Sequence, residues 1–214
     1  MPARTILCFG DSNTHGSAPK RDPVLSPRFG AEDRWPGVLR SSLGPNWTVI
    51  EEGLPGRTTV HDDAVDGIHK NGLRYLRPCL ESHRPIDLLA IMLGTNDLKA
   101  RFSLPAGDIA AGLAVLCQTA LACEAGPGGA APKLLVISPV PIIEAGLLAE
   151  MFTGGAAKSE RLAELYRAVA ERFGAAFFDA GSVARCSPVD GVHFDPDQHR
   201  LLGAALARVV TGLY

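Results

Sequence analysis

Five short apolar runs constrain the fold of this chain more than any other feature of its sequence. They cover residues 5–9, 48–50, 88–93, 134–137 and 176–178. Each run is nearly continuous, whereas a strand with one face in water alternates apolar and polar residues. The runs therefore predict parallel strands that are buried on both faces.

Stretches with a helical spacing of apolar residues separate these runs, so strands and helices alternate along the chain. The predicted helices cover residues 35–43, 73–82, 109–123, 159–173 and 197–210. This alternation predicts an α/β fold with three layers, α/β/α. Helices would cover both faces of a five-stranded parallel sheet, with right-handed crossovers between the strands.

Single residues mark several of the predicted helix ends. Gly44 is expected to end the first helix, Ser159 to begin the fourth and Pro196 to begin the last. Pro78 lies inside the second predicted helix. Because proline lacks the N–H that a helix interior needs, it should kink or shorten that helix.

Two long connections, residues 17–34 and 139–158, are too polar or too rich in proline and glycine to belong to the core. Long loops in a compact domain are usually functional. We expect these two to form a pocket rim, a lid or a subunit contact.

The composition excludes several classes of protein. A chain of 214 residues suits a single domain, residues 1–214, with one core. Its net charge of −2 creates no broad field that would recruit nucleic acid or an anionic membrane. The five cysteines are scattered and form no Cys-x-x-Cys pair, so free thiols are expected rather than a zinc or redox centre.

The lengths of the apolar runs bear on the location of the protein. The first run has five residues, fewer than the roughly 7 to 15 of a secretory signal. The run at residues 88–93 is far shorter than the ~18 residues of a membrane span. A cytoplasmic protein without a membrane partner is therefore expected.

Polar residues and glycines follow four of the predicted strands. Ser12 comes after the first strand, Gly53 after the second and Asn96 after the third. Asp190 and His193 lie in the loop after the fifth strand. Because ligands bind beyond the carboxyl ends of strands in an open parallel sheet, we expect these residues to meet in one crevice.

This set contains the groups that acyl transfer requires. A serine hydroxyl attacks a carbonyl at neutral pH only when a base takes its proton, so Ser12 is the candidate nucleophile and His193 the candidate base. Asp190, three residues before His193, can orient that imidazole. The backbone N–H groups of Ser12 and Gly53 and the side-chain amide of Asn96 are the predicted oxyanion-hole donors.

At these positions the sequence resembles the SGNH, or GDSL-like, hydrolase superfamily. The matching blocks span nearly the whole chain in the family's order: Gly10-Asp11-Ser12, Gly53, Gly94-Thr95-Asn96-Asp97 and Asp190-x-x-His193. More narrowly, residues 6–12, 51–54, 57–59, 91–99 and 178–182 look like the bacterial arylesterase and acyltransferase branch.

The resemblance implies a flavodoxin-like SGNH hydrolase fold, no metal and no cofactor. It also implies that the partner is a small-molecule ester with a short acyl chain or an aryl group, and that the protein is a homo-oligomer. If the long loops exclude water, the acyl-enzyme could pass its acyl group to an alcohol, which would give acyltransferase activity.

Some residues depart from the family pattern or fall outside it. Asn13 stands where the name-giving motif has leucine, and His15 where the arylesterases carry tryptophan, so the shape of the acyl pocket is expected to differ. His15 is expected to line the pocket. His83 and His199 lie in predicted helices, where surface or packing roles are expected.

Residues next to the catalytic blocks are the expected substrate contacts, namely Asp11, Asn13, Leu54 and Thr95. Other apolar residues in or near the loops could form an acyl or alcohol pocket or, equally, a subunit interface. They are Pro55, Ile142, Ile143, Leu147, Leu148, Met151 and Phe152.

Two alternatives stay open at this point. Asp179, at the end of the fifth predicted strand, could be the third member of the triad in place of Asp190. The segment from His61 to His69 holds five possible metal ligands in nine residues, which suits a metal-dependent phosphoesterase that uses a divalent ion to activate water.

Overall fold

The parallel sheet predicted from the apolar runs is present in the structure, a computed structural model that describes residues 3–25 and 27–214. Its strands are β1 (Arg4–Gly10), β2 (Trp47–Gly53), β3 (Leu88–Met92), β4 (Lys133–Ser138) and β5 (Ala176–Asp179). The pairings between these five strands are all parallel, in the order β2-β1-β3-β4-β5. This is the flavodoxin-like order, so the predicted fold class is confirmed.

Helices cover both faces of the sheet. They are α1 (Ser12–His15), α2 (Trp35–Leu43), α3 (Gly72–His83), α4 (Ala106–Leu121), α5 (Gly155–Ser159), α6 (Leu162–Arg172) and α7 (Pro196–Leu213). On one face α2 packs against α7, and on the other α4 packs against both α3 and α6. Within the described chain, none of the helices combines the length and apolar character needed to cross a membrane.

The core lies between the two helical layers and explains the continuous apolar runs. All five residues of β3 are buried, as are the last five residues of β1. The cysteines are free and buried, in agreement with the thiols expected from their spacing.

The position of β1 creates the crevice at the carboxyl edge of the sheet. Gly10, at the end of β1, pairs with Gly53 of β2 on one side and with Met92 of β3 on the other. The chain leaves β1 toward β2 and later returns past β1 to form β3. Adjacent connections therefore diverge here, which is the topological switch point where α/β sheets bind ligands.

The predicted helix ends are correct at Gly44 and Pro196 but wrong at Ser159. The N–H of Gly44 donates to the carbonyl of Arg40, 3.1 Å away, and ends α2, while Pro196 begins α7. Ser159 instead ends the short helix α5, and α6 begins only at Leu162. Its hydroxyl accepts from the N–H of Ile142 and donates to a carbonyl of its own helix, so it fastens the 139–158 connection.

Pro78 does not shorten its helix, contrary to expectation. The helix α3 runs five residues beyond it, to His83. Pro78 and Arg74, whose carbonyl loses its usual partner, both lie on the exposed side of α3. Water can therefore satisfy the carbonyl that the missing N–H leaves free.

The contact between α7 and α2 depends on a glycine. A Cβ at Gly203 would lie 2.6 Å from the carbonyl oxygen of Trp35 and 2.6 Å from Cβ of Val38. Gly212, in the same helix, has nothing within 4 Å of the corresponding position. Replacing the first glycine should therefore push the two helices apart, whereas replacing the second should not.

We expect Gly203→Ala to lower the free energy of unfolding by about 1–3 kcal/mol because it overpacks this contact, despite the better helix propensity of alanine. The matched control Gly212→Ala should leave stability unchanged or slightly higher. Urea unfolding followed by circular dichroism measures both. Equal stabilities of the two variants would contradict the close packing.

Candidate active site

Ser12 stands at a sharp turn between the first strand and a short helix. Asp11 links Gly10, the end of β1, to Ser12, the first residue of α1, and its carboxylate accepts from the N–H of Asn13 at 2.9 Å. A Cβ at Gly10 would lie 2.0 Å from Oγ1 of Thr14, so the turn requires glycine there. The turn presents Ser12, 6% exposed, at the carboxyl edge of the sheet.

Asp190 and His193 form a hydrogen-bonded pair in the loop between β5 and α7. Nδ1 of His193 lies 2.6 Å from Oδ2 of Asp190. The other carboxylate oxygen accepts from the backbone N–H groups of Val192 and His193, both at 3.0 Å. The N–H of Lys20, from the first long connection, donates to Oδ2 at 2.6 Å.

These hydrogen bonds determine the charge of Asp190. Burial alone would raise the pKa of its carboxyl, but hydrogen bonds and the charge of His193, together with the N–H of Lys20, lower that pKa to about 2. Asp190 is therefore a carboxylate at neutral pH. A carboxylate on Nδ1 leaves Nε2 of His193 free to act as a base.

Ser12, His193 and Asn96 line one cavity of about 410 Å³. Among the described residues no hydrogen bond joins the Ser12 hydroxyl to His193, and such catalytic bonds are often long before a substrate binds. Both long connections contribute to the cavity wall, the first through residues 17, 18 and 20 and the second through residues 148, 151 and 152. Of the expected roles, the structure gives them that of a pocket rim.

Asn96 is held at the cavity by the loop that follows β2. Its side-chain amide donates to the carbonyl of Arg57 at 3.1 Å, which leaves one amide hydrogen for a ligand. The next residue, Asp97, is fully buried and accepts from the N–H of Thr59 at 2.9 Å and from its hydroxyl at 2.5 Å. These bonds join the ends of β2 and β3 at the cavity.

Gly53 is not part of the cavity wall, and Gly56 takes its place. A Cβ at Gly53 would lie 2.2 Å from the backbone nitrogen of His15, so this glycine permits close packing of α1 against β2. Gly56 lines the cavity at φ +83°, in a turn closed by a bond from Arg57 N–H to the carbonyl of Leu54. Sequence reasoning missed Gly56, although proline followed by glycine is a typical turn signal.

The four expected substrate contacts also lie outside this cavity wall. Asp11 and Thr95 are buried beside each other, and Asn13 donates from its side chain to the carbonyl of Val192 at 3.0 Å. Leu54 lines a separate cavity of about 460 Å³. Asp11, Asn13 and Thr95 therefore hold the Ser12 turn and the histidine loop in place. Their sequence position next to the catalytic blocks is compatible with this role as well as with substrate binding, so the sequence could not tell the two apart.

Asp179, the alternative third member of the triad, has other partners. Its carboxylate accepts from the hydroxyl of Ser138 at 3.0 Å and from the N–H of Gly181 at 2.9 Å. It therefore caps the turn after β5. The carboxylate that contacts His193 is that of Asp190.

The other histidines of the sequence analysis occupy three kinds of position. His15 lines the cavity, as expected, with Nδ1 3.3 Å from the hydroxyl of Ser17. His199 is fully buried and accepts from the N–H of Trp35 at 3.3 Å, which is a packing role. His83, at the end of α3, contacts Glu52 of β2 at 2.9 Å and does not line the cavity.

The acids between His61 and His69 do not fit a metal centre. Each of the three is paired with cations of the protein. The pairs are Asp62 with Arg74, Asp63 with Lys99 and Arg101, and Asp66 with Lys99 and Arg101. Within the described residues, the group that brings three potential ligand atoms within 4.8 Å lies elsewhere and consists of Glu52, Cys79 and His83. The phosphoesterase alternative therefore loses the ligands on which it depended.

Comparison with known proteins agrees with this geometry. Residues 8–201 match the model of the GDSL-like lipase/acylhydrolase family. The native aryl esterase of M. smegmatis is 46% identical, with a TM-score of 0.94 over 99% of this chain and 100% of that one. Est24, a carbohydrate acetylesterase from Sinorhizobium meliloti, is 40% identical, with the same coverage and TM-score. No curated protein sequence matches the chain.

The fold and the site define an enzyme of the ester-cleaving acylhydrolase class. The match covers most of the chain, and the solved structures cover nearly all of it. The chain belongs to the GDSL-like lipase/acylhydrolase family, as the sequence blocks predicted.

Asp11 contrasts with Asp190 and makes stability depend on pH. Burial raises the pKa of its carboxyl to about 6, although the N–H of Asn13 and the charge of His193 oppose the shift. The folded state therefore holds this proton more tightly than the unfolded state, whose pKa is near 3.8. Stability is highest below pH 4 for this group and is lost as the pH rises through 6.

We expect Asp11→Asn to stabilise the protein at pH 7, by about 3 kcal/mol at most, because asparagine keeps an acceptor for Asn13 without a buried charge. The gain should fall to about 0.5 kcal/mol near pH 4, where the folded-state carboxyl is protonated and the unfolded one is partly protonated. Asp190→Asn should do the opposite and destabilise at pH 7, because the lowered pKa of Asp190 stabilises the fold above pH 4. Urea unfolding at pH 4, 5, 6 and 7 tests both, and a pH-independent effect of Asp11→Asn would contradict the assignment.

Proposed function

We propose that this protein is a serine esterase that hydrolyses small, short-chain carboxylic esters, including aryl and acetyl esters, through Ser12, His193 and Asp190. The observation that carries the proposal is the 2.6 Å contact between Asp190 and His193 at the wall of the cavity that Ser12 lines. A paired imidazole and a serine at a strand end have the chemistry of a nucleophile and its base.

The first half of the reaction forms an acyl-enzyme. Nε2 of His193 takes the hydroxyl proton of Ser12 as Oγ forms a bond to the ester carbonyl carbon. The tetrahedral intermediate then breaks its bond to the alcohol oxygen, which receives the proton from His193. Asp190, a carboxylate at this pH, stabilises the imidazolium that exists between these two proton transfers.

The negative charge on the intermediate needs donors that are already in place. The backbone N–H groups of Ser12 and Gly56 have no hydrogen-bond partner within the described residues, and Asn96 has an amide hydrogen to spare. All three residues line the cavity. We assign them as the oxyanion hole, with Gly56 in the role that Gly53 was expected to fill.

The second half of the reaction releases the acid. A water molecule attacks the acyl carbon, His193 takes its proton, and the bond between the carbonyl carbon and Oγ of Ser12 breaks as that oxygen is protonated again. The enzyme then has its starting protonation state.

The size and lining of the cavity support small substrates. Its volume of about 410 Å³ lies at the lower end of the range for small-molecule pockets. Leu148, Met151, Phe152 and Pro55 supply apolar surface beside the nucleophile. The similar structures are those of an aryl esterase and a carbohydrate acetylesterase, which supports aryl and acetyl esters as substrates.

The same apolar surface supports transfer to alcohols as a further part of the proposal. An alcohol that packs against Leu148 and Met151 could replace water in the second half of the reaction, since acyl transfer depends on which nucleophile occupies the site. Whether acetate or the acetyl ester of an added alcohol accumulates distinguishes the two outcomes.

Association of several copies is also part of the proposal. Exposed apolar residues occur on the 139–158 connection, where Leu147 is 52% and Ile143 44% exposed. Another lies on the segment from His61 to His69, where Val65 is 75% exposed. Apolar surface of this kind commonly marks a contact between subunits. Light scattering of the purified protein measures the number of subunits.

We expect Ser12→Ala and His193→Ala each to lower kcat for p-nitrophenyl acetate by about 10⁴-fold or more while the fold is retained. The matched controls Ser41→Ala and His83→Ala alter a serine and a histidine that do not line the cavity, and they should stay near wild type. EDTA should have no effect. Activity of Ser12→Ala close to wild type, or chelator-sensitive release of phosphate from p-nitrophenyl phosphate, would overturn the proposal.

We expect Asn96→Ala to lower kcat by about 10²–10³-fold and to change KM little, because the amide binds the oxyanion more strongly than the ester carbonyl. Steady-state kinetics with the same ester separates the two constants. A rise in KM with unchanged kcat would instead indicate that Asn96 only binds the ground state.

A further inference from the structure

The cavity that holds Ser12 carries more positive than negative charge. Lys20, Lys70 and Lys99 line it, and the one acid in its wall is Asp66 among the described residues. Asp190 lies behind His193 and is committed to it. Some of these charges are already neutralised by other groups of the protein, and others are not.

Lys99 belongs to a cluster that balances itself. Its ammonium group, 3% exposed, lies 3.1 Å from Asp63 and 2.6 Å from Asp66. Arg101 contacts the same two carboxylates, at 3.1 and 3.6 Å. The two cations and two anions of this cluster have no net formal charge. The cluster therefore has no surplus negative charge that would neutralise Lys20 or Lys70.

Lys70 lies beside this cluster but outside its ion pairs. No carboxylate of the described residues is within 4.0 Å of its ammonium group, and the nearby Asp66 is paired with Lys99 and Arg101. A Cβ placed on Gly56 would lie 3.5 Å from Cδ and Cε of Lys70, so the side chain runs along the wall next to the proposed oxyanion hole. Burial lowers the pKa of this lysine, and the nearby charge of Asp66 opposes that shift.

Lys20 lies beside the hydrogen-bonded pair of Asp190 and His193. Its backbone N–H donates to Asp190 at 2.6 Å, which holds Lys20 against the carboxylate that orients His193. The side chain is part of the cavity wall and has no ion pair within 4.0 Å among the described residues. Substituting the side chain leaves the backbone bond to Asp190 in place.

We propose that Lys20 and Lys70 select esters that carry a carboxylate or a similar anionic group, which one or both of the ammonium groups bind. This inference rests on the proposed esterase function and names its substrate class. A partly buried cation without an ion-pair partner gains a charge-assisted hydrogen bond when an anion enters, and two such lysines in the wall attract anions to the cavity. Leu148, Met151 and Phe152 would then contact the apolar part of the same ester.

Two esters that differ in one charge test the proposal. 4-Acetoxybenzoate is an anionic acetyl ester, and methyl 4-acetoxybenzoate is its neutral counterpart with nearly the same shape. The quantity to compare is kcat/KM for each ester with the wild type, Lys20→Met, Lys70→Met and the double variant. Because each variant is compared with the wild type on the same ester, the different chemical reactivities of the two esters cancel.

We expect the double variant to lose about tenfold more kcat/KM on the anionic ester than on the neutral one, as for a pair of partly exposed charges. Raising the ionic strength from roughly 0.01 M to 0.2 M should weaken the anionic preference of the wild type but not that of the double variant. The matched control Lys133→Met removes a lysine at the amino end of β4, the opposite edge of the sheet, and should change neither ester.

Three outcomes are decisive. Equal losses on both esters would overturn the proposal and indicate that the lysines act on the oxyanion or on the fold. No loss on either ester would overturn it as well. If the wild type cleaves neither this pair nor p-nitrophenyl acetate, the proposed esterase function itself fails, which is distinct from cleavage of both esters without discrimination.

Discussion

The buried carboxylate of Asp190 is the constraint on which the rest of the site depends. A charge that is removed from water needs several hydrogen bonds to replace its hydration. Four donors converge on it, three from its own loop and one from Lys20, 170 positions earlier in the chain. Meeting this requirement brings the first long connection against the histidine loop, and the cavity lies between them.

A comparison of two buried aspartates shows what those donors achieve. Burial raises the pKa of Asp11 to about 6, because the hydrogen bonds from the N–H of Asn13 and from the side chain of Thr95 offset it only in part. Asp190 accepts four hydrogen bonds, and its pKa falls to about 2. The additional donors, together with the charge of His193, keep Asp190 ionised far below neutral pH, as a carboxylate that stabilises an imidazolium must be.

The sheet could be predicted from the sequence because burial on both faces leaves a local signature, a continuous apolar run, in each strand. That Ser12, Asn96, Asp190 and His193 meet at one edge of the sheet could also be predicted, since each follows the end of a predicted strand. The direction of a backbone N–H could not be predicted, and for that reason Gly53 was chosen where Gly56 lines the cavity. The prediction that Ser159 begins a helix was wrong for a similar reason. Its hydroxyl bonds to Ile142, a tertiary contact that helix-capping patterns do not contain.

The net charge of the chain does not describe the charge inside its cavity. The overall charge of −2 argues against a broad field for nucleic acid or membranes, but it does not describe a cavity where ion pairing is uneven. Asp63 and Asp66 are both paired with Lys99 and Arg101, so their charge compensates that of Lys70 only in part. Most of the other acids are not in the cavity wall, and screening by salt limits the influence of the exposed ones to about 8–10 Å. A ligand inside the cavity therefore meets the unpaired lysines rather than the average charge of the protein.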